Sequence, residues 1–234
     1  MDPATAHKIQ MLAVTALPII LAITFHEAAH GYVADRKGDS TARMLGRLTL
    51  NPLAHIDPWG TILMPAMLFF FTGFVFGYAK PVPVNFMNLR RPKSDMVWVA
   101  AAGPLMNLAL AIGFGALLKV LTVVAGPVSG AGFPGGSAAG PEGSFQVLQP
   151  ISQMLVYGVL INIWLMVFNL LPIPPLDGGR VLVGLLPHPA SDRVAAIEPY
   201  GFLILLVLLF FDPTHLIQRV LTSISSVLVY LILS

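Results

Sequence analysis

Residues 25 to 32 read FHEAAHGY, and they lie in the second half of an apolar segment that runs from about Ile9 to Val33. Roughly 20 apolar residues in a helix cross a hydrocarbon layer of about 30 Å, so this segment is long enough to span a bilayer at a tilt. A helix turns about 100° per residue, which projects His26 and His30 from one face about one turn apart, close enough to share a metal ion. Glu27 directly follows the first histidine. In this H-E-x-x-H arrangement two imidazoles bind zinc and a carboxylate beside the open coordination position takes a proton from water. An unpaired acid at membrane depth costs about 2.5 to 3.5 kcal/mol on insertion scales, so a chance match to the motif seldom falls there.

Composition agrees with a bilayer setting. Of 234 residues, 56% are hydrophobic and only 10% are charged, against about 25% charged in soluble domains. The net charge of +2 is no argument for nucleic acid, because the basic residues form no face interleaved with aromatics. Cysteine is absent. That excludes disulfides, thiolate metal sites and cysteine nucleophiles, and leaves His, Asp and Glu as ligands. The opening MDPATAHKIQ lacks the basic n-region and small-residue cleavage site of a secretory signal, so the first apolar run is expected to be a retained membrane helix.

Further apolar runs occupy 60–78, 96–121, 153–171, 200–211 and the last residues to Ser234, with a Gly, Pro, Ser and Ala-rich loop over 122–150. The expected fold is an all-α polytopic membrane protein of about five or six transmembrane helices. It forms one integral-membrane domain over 1–234, with a core at 9–187 and C-terminal helices at 198–234. Charge placement orients it. Four Lys/Arg fall between 34 and 59, four between 79 and 96, and none between 122 and 150. Treating 60–78 as a re-entrant or hairpin element puts all eight on one side, which the positive-inside rule makes cytoplasmic, and brings the end of the 153–171 span to the same side as the motif. Non-helical backbone at that depth is tolerated where protein covers it or it lines water.

A catalytic zinc needs a third protein ligand with one position left for water. The topology nominates Asp177 in NLLPIPPLDGGR, where Pro172, Pro174 and Pro175 break the span and Gly178 and Gly179 allow a tight turn. FHEAAH together with NLLPIPPLDGG, and AGPLMN at 102–107, resembles the site-2 protease family of intramembrane metalloproteases, specifically its compact members without PDZ or CBS domains; the resemblance runs from about Ala22 to Leu186. It implies zinc held by His26, His30 and Asp177, Glu27 as catalytic base, Asn169 near the site, and a membrane-anchored protein cut within or beside its transmembrane helix. The expected location is the plasma (inner) membrane with the active site near the cytoplasmic side.

Three further readings follow from single residues. Asn169 reads either as a helix-end amide or as a donor to the developing oxyanion. Asn107, four residues after Gly103, suits close helix contact with an interhelical hydrogen bond, and is a lesser candidate for site support. In KPVPV, Pro81 and Pro83 present no N–H on one edge of an extended chain while Val82 and Val84 offer theirs on the other, so a short β-strand there is a candidate edge for holding an unwound substrate. The competing function is a metal-binding or metal-transporting membrane protein built on the same acids and histidines. An inverted repeat or ionisable residues along several helices would be expected of it, and neither is present.

Overall fold

The computed structural model describes residues 2–64, 67, 71, 80–125, 145–210 and 216–234. Helix α1 spans Pro3–Lys37. At 1.5 Å per residue it is about 52 Å long, more than a bilayer core requires. Arg36 and Lys37 occupy the last turn, where cations suit the helix dipole. Gly38, at φ +116°, then takes a backbone conformation that side chains disfavour and stops the helix. A one-turn helix α2 covers Thr41–Met44.

Helix α3 spans Pro92–Ala125 and α4 spans Phe145–Asn169. Both begin where the sequence permits. Pro92 sits at a position whose N–H has no helical partner anyway, and Asp95 accepts the Arg91 N–H at 2.9 Å. After α4 come α5 (Asp177–Leu185), α6 (Ala190–Ala195), α7 (Gly201–Phe210) and α8 (Leu216–Leu233). Three described helices are long and apolar enough to cross a membrane, Ile9–Lys37, Pro92–Val124 and Leu148–Asn169; the apolar stretch Gln218–Leu233 of α8 is shorter. The ten residues of α7 reach only about 15 Å.

Of the run 60–78, expected to be re-entrant, only its start is described. Pro58–Leu63 forms a π-helical turn whose first amides, Trp59 and Gly60, donate to Asp57. Most of the remainder of that run, and most of the 122–150 loop, lie outside the described residues. The short strand expected near Val82 does not form: no strand occurs among the described residues. The physical reason is local. Pro81 and Pro83 bring no donors, and the amides of Val82 and Asn85 donate to acidic side chains rather than to a neighbouring strand.

The chain divides into two compact units. One comprises Met1–Ala22, Leu105–Asn169 and Leu203–Ser234. In it α4 buries a stripe of Val156, Val159, Ile163, Met166 and Val167 at helical spacing. The other comprises Ile23–Pro104 and Leu170–Phe202. Its apolar core is Ala34, Leu89 and Val99 with Val33, Val84 and Phe86 packed against them. There the end of α1 is tied to the start of α3 by Lys37 and Asp95, 2.9 Å apart. This second unit contains the whole candidate site.

Candidate metal centre

Helix α1 places the two motif histidines as its periodicity requires. Their ring centroids are 4.7 Å apart in an edge-to-face pair, with Nε2 atoms separated by 3.1 Å. Asp177, the first residue of α5, brings Oδ2 to 3.2 Å from His26 Nε2 and 3.3 Å from His30 Nε2. The three side chains are 10%, 12% and 9% exposed, so little water reaches them.

The protonation pattern follows from what surrounds them. His30 Nδ1 lies 2.7 Å from the Val99 carbonyl, which can only accept, so Nδ1 carries the proton and Nε2 presents its lone pair to the centre. Asp177 Oδ2 is buried and receives no well-formed hydrogen bond. Two imidazole nitrogens and a carboxylate oxygen, all within 4.8 Å of one another, therefore converge. Buried acceptors facing each other are costly unless a cation joins them. Two nitrogens and one oxygen match the three-protein-ligand donor set of a catalytic zinc.

Two close approaches make this convergence possible. A Cβ on Gly103 of α3 would fall 2.4 Å from His30 Nε2 and 2.6 Å from His26 Nε2, so any side chain there would displace the imidazoles. Gly178 and Gly179 act similarly on the other side. Their Cβ atoms would meet Leu170 O at 2.2 Å and Pro174 N at 2.3 Å. Neither has positive φ, so what Asp177 needs from them is the missing side chain rather than the tight turn anticipated from sequence.

Glu27 is half-buried, and its Oε2 accepts the backbone N–H of Val82 at 2.8 Å. The Val82 amide, expected on an open edge, is thus engaged by the motif's own carboxylate. The Val84 amide meets no acceptor among the described residues. Charged groups hold the segment on both sides. Arg47 donates to the carbonyls of Lys80 (3.1 Å), Pro81 (3.3 Å) and Ala54. Asp39 accepts from the Asn85 N–H at 2.7 Å and Asn88 Nδ2 at 3.0 Å. Burial pushes the Asp39 carboxyl up, but the hydrogen bonds from Thr41, Asn88 and Asn85 outweigh it and hold it below the usual range.

The other sequence candidates lie elsewhere. Asn107 Nδ2 donates to Ala22 O at 3.2 Å and to Asn162 Oδ1 at 2.8 Å, an interhelical amide pair in the other unit. Asn169 Nδ2 donates to Leu165 O, one turn back in its own helix. His55, which ends the helical turn Pro52–His55, is buried with Nε2 3.0 Å from Thr49 O. Sequence reasoning missed the Val99 carbonyl, a group that every residue carries, and singled out the Val82 amide as a substrate donor rather than as the partner of Glu27. It saw Gly103 only as a helix-contact residue.

Comparison with known proteins is consistent with this chemistry. Residues 14–209 match the family model described as "Peptidase family M50". The chain is 38% identical over 209 residues to "Putative zinc metalloprotease YwhC" of Bacillus subtilis (strain 168), covering 89% of this chain and 85% of that protein. It is 30% identical over 191 residues to "Putative zinc metalloprotease Rip2" of Mycolicibacterium smegmatis, covering 81% of this chain and 64% of that one. The Rip2 protein of Mycobacterium tuberculosis (strain H37Rv) is likewise 30% identical, over 83% of this chain and 65% of its own length. No solved structure matches.

Proposed function

The chain belongs to peptidase family M50, and on that premise we propose that His26, His30 and Asp177 hold its zinc ion and that Glu27 is its general base. The protein is a membrane-embedded zinc metalloprotease of the site-2 type; the metal-transport alternative is not favoured. One observation carries the residue assignment: Nε2 of His26, Nε2 of His30 and Oδ2 of Asp177 converge in a buried cluster in which Asp177 Oδ2 receives no hydrogen bond.

Zinc bound there supplies Lewis acidity for activating water and polarising the scissile carbonyl. The protein does the rest. Val99 holds the His30 ring in the tautomer that keeps Nε2 available. Glu27, adjacent to His26 in sequence, takes the proton of the attacking water and passes it to the leaving amine nitrogen. Low exposure of the three ligands limits bulk water at the centre. Val84, with its amide still available, is the donor we assign to an unwound substrate segment by strand addition. Val82 is not, and the amides of Asn107 and Asn169 are already used within their own helices or with a neighbouring one.

The substrate is a membrane-anchored protein, cut in or near its transmembrane segment. The same reading keeps residues 1–234 as one integral-membrane domain of five to six helices, with 60–78 re-entrant, in the plasma (inner) membrane. His26 lies eleven residues before Lys37, the end of α1, or about 16 Å along the axis. With Arg36 and Lys37 at the cytoplasmic surface, the centre sits a short way below it.

The Glu27→Gln protein tests the assignment. Cleavage of a single-span membrane substrate falls by about 10²-fold or more, while zinc content stays at the wild-type level; a wild-type rate overturns it. A backbone amide-to-ester replacement at position 84 raises KM for the same substrate with kcat little changed, because it removes the binding donor and keeps the side chain that packs on Ala34, Leu89 and Val99.

A further inference from the structure

We propose that Val82 and Gly31 are positioning residues for catalysis: a notch at Gly31 seats the Val82 side chain so that the Val82 N–H holds the Glu27 carboxylate in its working orientation. The proposal rests on the reading of Glu27 as general base.

Glu27 and Gly31 are four residues apart on α1, so they lie one above the other on one face. Val82 touches both. Its N–H donates to Glu27 Oε2 at 2.8 Å, and its Cγ1 occupies the space over Gly31, where a Cβ would come within 2.8 Å. Leu48 Cδ1 at 3.2 Å and Ala42 Cβ at 3.5 Å from the same point close the notch, and Val82 is buried.

The flanking prolines make this contact unambiguous in register. Pro81 and Pro83 have no N–H, so a slip of one residue in either direction would leave Glu27 facing a residue that cannot donate. The segment is also held from both sides. Lys80 N–H donates to His55 O at 2.9 Å, Arg47 grips the carbonyls of Lys80 and Pro81, and Asp39 takes the Asn85 amide. A glutamate has several rotatable bonds, and fixing one carboxylate oxygen on an immobile amide orders the base before substrate arrives.

Valine makes the coupling stiff. Its methyl groups are one bond from Cβ and its χ1 is restricted, so a clash at Cγ1 is relieved by moving the residue, and its N–H moves with it. Displacements of about 1 Å at a reacting group cost about 10²-fold in rate.

The test measures kcat, KM and zinc content for Gly31→Ala, Val82→Ala and the double variant, alongside Glu27→Gln. Gly31→Ala lowers kcat by about 10- to 100-fold with KM and zinc content held. Val82→Ala, which keeps the amide, loses less, and in the double variant kcat recovers from the Gly31→Ala value towards that of Val82→Ala. A backbone amide-to-ester replacement at position 82 removes the N–H with almost no change of shape, and gives the same kcat loss even if Gly31→Ala does not fold. Wild-type kcat in the ester protein overturns the proposal, as does a double variant no better than a folded Gly31→Ala. The two readings fail separately: an active Glu27→Gln removes the base assignment itself, whereas an inactive Glu27→Gln beside a fully active ester removes only the positioning role.

Discussion

Two buried polar clusters of this protein follow opposite logic. In the unit built from Met1–Ala22, Leu105–Asn169 and Leu203–Ser234, donors meet acceptors: Asn107 donates to Asn162 at 2.8 Å, and Asn162 donates to Gly158 O at 2.8 Å. In the other unit, the His30 Nε2 lone pair and the Asp177 carboxylate, two acceptors, converge with the His26 ring within 3.3 Å. The first cluster satisfies itself and serves as helix glue, worth about 0.6 to 1.7 kcal/mol per interhelical bond in a membrane. The second leaves Asp177 Oδ2 without a hydrogen bond among three groups that could hold a metal ion. Burial alone does not separate structural from functional polarity here; the direction of the hydrogen bonds does.

That contrast can be broken by experiment. The largest effect is expected from Asp177→Asn, which keeps the shape and removes the charge. Zinc is then lost on dialysis and cleavage goes with it, and a variant that retains zinc would show that the acceptors do not need a third ligand. Next come two substitutions four residues apart on α3, which pit the clusters against each other. Gly103→Ala pushes a methyl into the imidazoles and lowers zinc affinity by about 10- to 100-fold, the range for disturbing ligand orientation, read by competition with a chelator. Asn107→Leu, the smallest of the three, leaves zinc affinity alone and lowers unfolding stability in detergent by about 1 kcal/mol. If Asn107→Leu weakened zinc binding instead, the two clusters would not be independent.

The site was legible in sequence where chemistry is carried by residue type. Histidines four apart share a helix face in any α-helix, so His26 and His30 came together as expected. Asp177, nominated from the proline-broken end of a span, lies beside them in the structure. The support around them was hidden for an equally definite reason. Val99 offers a carbonyl and Val82 an amide, and Gly103 and Gly31 offer an absence of atoms; none of these marks itself in a list of side chains. Even the KPVPV reading was half right in its physics. The prolines do leave Val82 as the lone donor between them, but a nearby carboxylate takes that donor before any strand can.

By itself, the amino-acid order determined a bilayer protein with a zinc-type ligand set, because hydropathy and helical periodicity are local properties that survive any packing. Only the tertiary structure decided how FHEAAHGY is held. Which backbone groups meet His30 and Glu27 depends on segments 55 and 69 residues away in the chain. Contacts made by atoms common to every residue can be specified only in three dimensions.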